Sequence, residues 1–453
     1  MVPTLSPDQE YLVSLRSVRE RCFRVQEASM KDRLQHFNVD QSKLEDVVQI
    51  VVSLIKRDFG DPSRIPSHGR WRHFDVGGRP RIQNLINTWA NHGEDTSEQT
   101  RRVLDLFVVA VLLDLEAGHT WAYSESSTGR VYKRTEGIAI AVLDLFLAGT
   151  FSSDPTQPHR VDSEALECLS MDILRQGFQI SGQNVLVGLE DRLELLNHLG
   201  EVLRERQDYF GSGCVARPGN LMVYIKSDYL LEHPTTIKTK KGPLIHLETL
   251  WPVVQEMGEF WSAEHTGKGG TQGLGDVWPC KAIQDTSNPQ STEHLVSFHK
   301  LSQWLVYSLI EPMEKLLGAT IEGTDLLTPL PDYRNGGLLI DTGFISLKES
   351  DLERGLENYR RNSLLPGQPR VEVAPIFDMS DPVVIEWRAL TIAYLDLVAE
   401  RVRETLRLSR KELSLTQLIE GGTWSAGREL AEISRPNTQE PPIVIKIDRR
   451  VYY

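Results

Sequence analysis

The sequence predicts a mainly α protein carrying small β-hairpin and strand additions. Apolar residues recur at helical spacing along most of the chain. Capping residues and glycines punctuate the ends of those runs, and one short stretch alternates as a hairpin does. From about Pro7 to Ala28, charged and apolar positions alternate at helical spacing. Asp40 to Lys56 repeats the pattern, with Leu44, Val47, Val48, Val51, Val52 and Leu54 as its core stripe. A loop between Gly60 and Arg79 holds His68, Arg70, Arg72 and His73. Helices are expected at Ile82–Ala90 and Thr96–Ala117, the second rich in Val and Leu all round and therefore buried. Trp121–Glu125 and Arg130–Arg134, joined by a Ser-Ser-Thr-Gly loop, read as a hairpin. Thr135 then reads as a helix cap, with Glu136 in the first turn and Gly149 at the end.

Further helices are expected near 163–177, 189–208 and 246–260. Residues 265–277 form the one Gly-rich stretch. They lack the final Gly-Lys-Ser/Thr and the preceding strand of a phosphate loop, so a mobile loop is the better reading. A long amphipathic helix runs from 298 to about 317, with Phe298, Leu301, Leu305 and Leu309 on its apolar stripe. Leu338–Leu347 reads as a strand, Asp381–Arg407 as another long helix, and Pro441–Tyr453 as an extended tail. With no repeats and no Pro- or Ser-rich linker, the boundaries are weak. The expected division is an N-terminal helical region (1–64) and a main helical domain (65–453), or one continuous two-lobed body.

The chain has 453 residues, 40% hydrophobic and 25% charged, enough for a substantial core. Its formal charge of −13 speaks against binding nucleic acid or an anionic membrane, which calls for a basic footprint. Cys22, Cys168, Cys214 and Cys280 lie far apart without a C-x-x-C pair, the pattern of reduced intracellular thiols. The opening Met1-Val2-Pro3-Thr4 has neither a basic n-region nor an apolar h-region, and no run approaches a membrane span. A cytoplasmic location is expected.

Metalloprotease, nucleophile-elbow, EF-hand and dinucleotide signatures are missing, and the twelve histidines are scattered, so neither a metal nor a cofactor is expected. What remains is polar residues beside aromatics: His119, Trp121, Tyr123 and Glu136; Asp276 and Trp278; His299, Lys300 and Trp304; Asp332 and Arg334; Glu386 and Arg388; Glu420 and Trp424. Lys300, Trp304, Tyr307 and Glu311 share one helical face, where an ammonium among aromatics needs compensation. The plainer alternative is a lysine whose stem packs while its head reaches water. Likewise Trp121 and Tyr123 pack a hairpin, Asp276 serves a turn, and Glu420-Gly421-Gly422-Thr423-Trp424 stops a helix.

Several segments are long enough to compare as motifs. They are Gly118–Tyr123, Arg134–Ala139, Gly275–Pro279, Phe298–Leu305, Asp332–Gly337, Glu386–Thr391 and Glu420–Trp424. Together they resemble the successive motifs of the uracil catabolism protein 4 family, from roughly Ile65 to Gly427. The resemblance implies a part in pyrimidine breakdown, where ribosylurea or its phosphate is consumed and urea liberated. A more distant resemblance is to the queuosine salvage nucleosidases. It rests on Phe298-x-Lys300-x-x-Gln303, Asp332-Tyr333-Arg334 and Glu386-x-Arg388. It implies a helical fold similar to DNA glycosylases, with the lysine and aspartate in the active site.

The expected activity is therefore hydrolysis of the N-ribosidic bond of ribosylurea or its 5′-phosphate. Breaking a C1′–N bond passes through an oxocarbenium-like state that a carboxylate stabilises or attacks. Asp332 is the expected carboxylate, and Lys300 would hold it charged and donate to a ribose hydroxyl or the departing urea oxygen. Glu136, Asp276 and Glu386 are candidate hydroxyl ligands or proton donors. His119, Trp121, Tyr123, Trp278, His299 and Trp304 would complete the pocket, its aromatics excluding water. Arg334 or the His68–His73 loop would hold a phosphate, unless that loop is merely an ion-pair cluster. The only expected partner is a small ribosyl substrate. Two readings compete with hydrolysis: a non-catalytic binding or scaffold protein of the pathway, and an amidohydrolase acting on the ureido group.

Overall fold

The computed structural model describes residues 5–115, 117, 118, 120–224, 242–258, 274–284, 291–361 and 372–446. The expected site residue His119, the Gly-rich stretch up to 273 and the tail from 447 lie outside them. The described chain is mainly helical, with paired three-residue strands as the β additions. It divides into two compact units: Met1–His68 with Ser262–Gln303 and Asp325–Tyr453, and Gly69–Trp261 with Trp304–Thr324. The stretch read as an N-terminal helical region thus belongs to the same unit as the C-terminal helices.

The first unit is organised on the helix Pro382–Leu406. Asp381 caps it, accepting from the Val383 N–H at 2.9 Å, and Pro382 supplies a preset φ at the first position. Its first three turns are buried on every side, which is why the sequence shows no clean amphipathic stripe there. Leu15–Met30 and Leu44–Asp58 pack on it, and Val18, Cys22, Val25, Val47, Val51 and Ile55 join its Val384, Leu390 and Leu395 in one core. The expected helix over 7–28 is two, Pro7–Leu12 and Leu15–Met30, because the Ser14 hydroxyl accepts from the Ser17 N–H and starts a new one. Phe37–Val39 pairs antiparallel with Ile345–Leu347, Val277–Pro279 antiparallel with Leu295–Ser297, and Val444–Lys446 parallel with Ile376–Asp378.

Two expectations in this unit are corrected. Most of Leu338–Leu347 is not strand: Tyr333–Asp341 is helix, and only Ile345–Leu347 is extended. Glu420–Trp424 is not a helix stop either. Leu415–Leu418 runs through a π-helical turn, Ile419–Thr423, into Trp424–Ser434. The two glycines that suggested a stop are where Gly421 meets Ile65 and Phe59 and Gly422 meets Val51.

In the second unit Thr96–Leu112 is buried nearly all round, as its composition predicts. Ala122–Ser124 and Val131–Lys133 form the expected hairpin, with Tyr123 opposite Tyr132. The next helix is Arg134–Leu147, so Thr135 lies inside it; Lys133 occupies the cap position without a side-chain cap bond. The region read as helical near 163–177 holds Ser163–Glu167 and Met171–Gly177. Leu189–Glu205 and Leu247–Gly258 follow, and Leu244–His246 pairs parallel with Thr320–Glu322.

One buried charge ties this unit together. Asp105, fully buried, accepts from Arg217 Nε at 2.8 Å, the Gly219 N–H at 2.7 Å and the Val161 N–H at 3.2 Å. Replacing Asp105 with Ala leaves Arg217 only Glu98, at 2.8 Å, and takes the acceptor from the Gly219 and Val161 N–H groups. It should lower unfolding free energy by about 1–3 kcal/mol, read by equilibrium denaturation.

Candidate active site

Four sequence candidates of the first unit, Asp276, Trp278, Lys300 and Arg388, meet at one ion pair. Arg388 projects from the Pro382–Leu406 helix and is almost fully buried. Its Nη1 and Nη2 donate to the two oxygens of Asp276 at 2.8 and 2.6 Å, and its plane lies 4.0 Å over the Phe298 ring. Asp276 also accepts from Trp278 Nε1 at 2.7 Å and from the Lys300 N–H at 3.1 Å. Burial works to raise its pKa, but the Arg388 charge and these donors outweigh it and hold the carboxyl at about 2. Asp276 is therefore an ionised clamp on the segments bearing Trp278, Phe298 and Lys300. That corrects its reading as a proton donor.

His299, just before the Lys300–Leu317 helix, sits at φ 47°, sparsely populated for a residue with a Cβ. It is fully buried, and its Nε2 donates to the Leu12 carbonyl at 2.8 Å. The structure gives His299 an anchoring contact at the helix entrance. Three residues into the helix, Gln303 Nε2 donates to the Phe298 carbonyl and to Thr328 Oγ1, each at 3.0 Å. Its Oε1 accepts from the Thr328 N–H at 2.9 Å. Gln303 thus joins the Lys300 end of the helix to the segment leading into Asp332.

Asp332 is the N-cap of Tyr333–Asp341 and only 8% exposed. Its Oδ1 accepts from the Arg334 and Asn335 N–H groups at 2.7 and 2.9 Å, and its Oδ2 from Asn335 Nδ2 at 2.7 Å. Asn335 is oriented by its bond to the Leu330 carbonyl at 3.1 Å and by Thr423 Oγ1, which donates to its Oδ1 at 2.8 Å. Thr423 is the last residue of the π-helical turn. In the same turn Glu420 pairs with His68 Nδ1 at 2.6 Å.

Glu386 is committed elsewhere. Almost fully buried, it accepts from the N–H groups of Gln35, His36 and Phe37 at 2.9, 2.9 and 3.1 Å, and burial pushes its carboxyl up. It holds the entry to the strand Phe37–Val39. Arg334 donates to the Gln439 carbonyl at 3.2 Å and stacks on the Tyr333 ring.

In the second unit, Trp121 is fully buried, donates to the Phe178 carbonyl at 2.9 Å and underlies Gly137. Tyr123 donates to Asp144 at 2.8 Å, and burial pushes its phenol well above the usual range. Both are packing residues of the hairpin rather than pocket walls. Trp304 is half-buried, with the His73 ring 5.9 Å from its own. Arg70 pairs with Asp114 at 2.8 Å, with Glu136 acting electrostatically on it. Arg72 pairs with Glu311. His68, Arg70 and Arg72 each meet a carboxylate, but His68 and Arg70 are buried, so the loop is not a surface cluster.

Asn335, Thr423, Gln303 and Thr328 are not among the expected site residues. Gln303 carries a signal as the last residue of the Phe298-x-Lys300-x-x-Gln303 motif, and Asn335, three residues after Asp332, has the spacing of a capped helix start. Among the described residues no group of three His, Cys, Asp or Glu side chains is placed to hold a metal ion. No helix there is long and apolar enough to cross a membrane.

This chain is matched over residues 11–452 by a family model described as Protein of unknown function (DUF1688). It is also 37% identical over 456 residues to uracil catabolism protein 4 of Lachancea kluyveri, covering 99% of this chain and 100% of that protein. The chain belongs to that family. Protein urg3 of Schizosaccharomyces pombe is likewise 37% identical over 444 residues, covering 97% of this chain and 98% of its own. The family expected from the motifs is thus the one found, and the match extends past Ile65–Gly427 to nearly the whole chain.

The Asp276–Arg388 pair makes a pH prediction. A carboxyl depressed in the fold stabilises it fully above its unfolded pKa of about 3.9 and loses that contribution as pH falls toward the folded value. Wild type should therefore lose about 2 kcal/mol relative to Asp276→Asn between about pH 5 and about pH 2, measured by denaturant unfolding across that range.

Proposed function

We propose that this protein acts in uracil catabolism and hydrolyses the N-ribosidic bond of ribosylurea or its 5′-phosphate, releasing urea. The pathway follows from the name carried by its 37%-identical, full-length relative. The chemistry follows from Asp332, the observation that carries the reading. Its carboxylate sits at a helix N-terminus, where backbone N–H groups and the helix dipole favour negative charge. Both Asn335 and the π-helical turn fix its position.

Cleavage of the C1′–N bond builds positive charge on the sugar, and a preorganised carboxylate is what lowers that barrier. Lys300, whose backbone is held by Asp276, is assigned to the ribose hydroxyls or the departing urea oxygen, where an ammonium stabilises developing negative charge. Asp276, Arg388 and Gln303 act through it as positioning residues. Water completes the hydrolysis.

A second reading is favoured by a specific observation: the three hydrogen bonds to Asp332 are those of an ordinary N-cap. On that reading the protein binds the pathway intermediate or its partner enzymes without turning it over.

Asp332→Asn separates the two, because Asn caps a helix as well as Asp and the fold should survive within about 1 kcal/mol. Wild type incubated with ribosylurea, with and without a 5′-phosphate, should release urea and ribose or its phosphate. The variant should be slower by about 10²–10³-fold. An equal rate in the variant would remove Asp332 from catalysis, and no turnover by wild type of either compound would leave the binding reading.

A further inference from the structure

Arg70 lies outside the carboxylate site just described. Its side chain is completely buried at the start of the Trp71–Phe74 helix. Nη1 donates to Asp114 at 2.8 Å and to His73 Nδ1 at 3.1 Å. Because a guanidinium only donates, His73 Nδ1 accepts, and that ring carries its proton on Nε2. The backbone N–H of Arg70 donates to Ser308 Oγ at 3.2 Å, and Gly69 abuts the Tyr307 carbonyl, fixing where the side chain starts. Yet Nε and Nη2, the two donors along one edge of the plane, have no partner among the described residues.

A buried guanidinium with one edge unpaired is costly, and core packing gives no reason to retain it. Side chains of this kind are kept where a ligand completes them. The edge offers parallel N–H donors to one oxygen, or to two lying side by side. Charge then narrows the ligand. Two carboxylates, Asp114 and Glu136, already act on this single cation. A phosphate or carboxylate ligand would be a third negative charge on one arginine, with little water to screen it. A neutral acceptor meets no such penalty. Asp114 Oδ2 meets Nη1 and leaves the Nε–Nη2 edge to the ligand.

We infer that the Nε–Nη2 edge of Arg70 is a subsite for the neutral carbonyl oxygen of an amide-type ligand. The carbonyl oxygen takes the two guanidinium donors. Ureido compounds and the uracil ring carry such a carbonyl. The choice of these ligands rests on the uracil-catabolism reading above, and the subsite also places the phosphate of a phosphorylated substrate elsewhere. The earlier alternative, a phosphate held by this loop, is thereby set aside.

Calorimetric titration with ribosylurea, uracil and inorganic phosphate, on wild type, Asp332→Asn, Arg70→Lys and the double variant Arg70→Met/Asp114→Leu, tests the assignment. One amide compound should bind wild type and Asp332→Asn alike, and which one binds tells an open ureido group from the closed ring. Both Arg70 variants should bind it about 10–100-fold more weakly. The ligand-free double variant should melt no lower than wild type, since removing both members of a buried ion pair is neutral or stabilising. Unchanged affinity in the Arg70 variants would overturn the subsite, as would binding of neither amide to wild type. Phosphate binding that depends on Arg70 would overturn it too. Ribosylurea hydrolysed by wild type with no Arg70-dependent binding of either amide removes the subsite and leaves the catalytic reading intact. Arg70-dependent binding without hydrolysis does the reverse.

Discussion

The first unit is built around a charge that water cannot reach. Arg388 lies in a helix whose flanks are apolar, and without Asp276 it would be an unpaired cation in the core. Satisfying it fixes much else. Asp276 spends its remaining lone pairs on the Trp278 indole and the Lys300 N–H, so one pair settles where a strand begins, where a helix begins and where Phe298 lies. Glu386, two residues earlier on the same helix, does similar work for Gln35, His36 and Phe37. One turn of a single helix thus organises segments separated by hundreds of residues in sequence.

That logic explains what could be read from the sequence. Local rules were sufficient where structure is local. The apolar stripe of Leu44–Asp58, the all-round burial of Thr96–Leu112, the hairpin around Tyr123 and the long helix after Asp381 follow from spacing and residue type. They failed where a distant partner decides. Gly336 and Gly337 weaken helix propensity, and the run beyond them read as strand. The helix forms because Asp332 caps it and because Gly336 lets the Trp387 ring approach within 2.7 Å of where a Cβ would stand. The same holds for Gly421 and Gly422, which suggest a stop and serve close packing.

The candidate site divides in the same way. Asp332 and Lys300 stood out by type and setting with the help of the family resemblance, but Glu136, Asp276 and Glu386 could not be ranked. Hydrogen bonds set Asp276 apart: each of its oxygens takes two donors, while Asp332 and Glu386 each accept three bonds, one oxygen taking a single bond among the described residues. The buttress behind Asp332 was not legible, because Asn335 and Thr423 are 88 positions apart and neither is unusual alone. Arg70 was visible as a basic residue in a basic loop. Its burial, which makes it chemically interesting, was not.

The π-helical turn Ile419–Thr423 carries one residue more than an α-helical path would need. An α-helix advances by about 100° per residue, so that single residue sets the rotational phase of everything in Trp424–Ser434. In its present phase, Gly427 faces the Arg334 carbonyl at close range and Thr423 faces Asn335. Losing one amino acid there would leave a smoother helix pointing its smallest side chain the wrong way. A gap in this glycine pair, which a comparison of sequences would treat as a harmless loop difference, therefore marks a relative whose Asp332 is supported in some other manner.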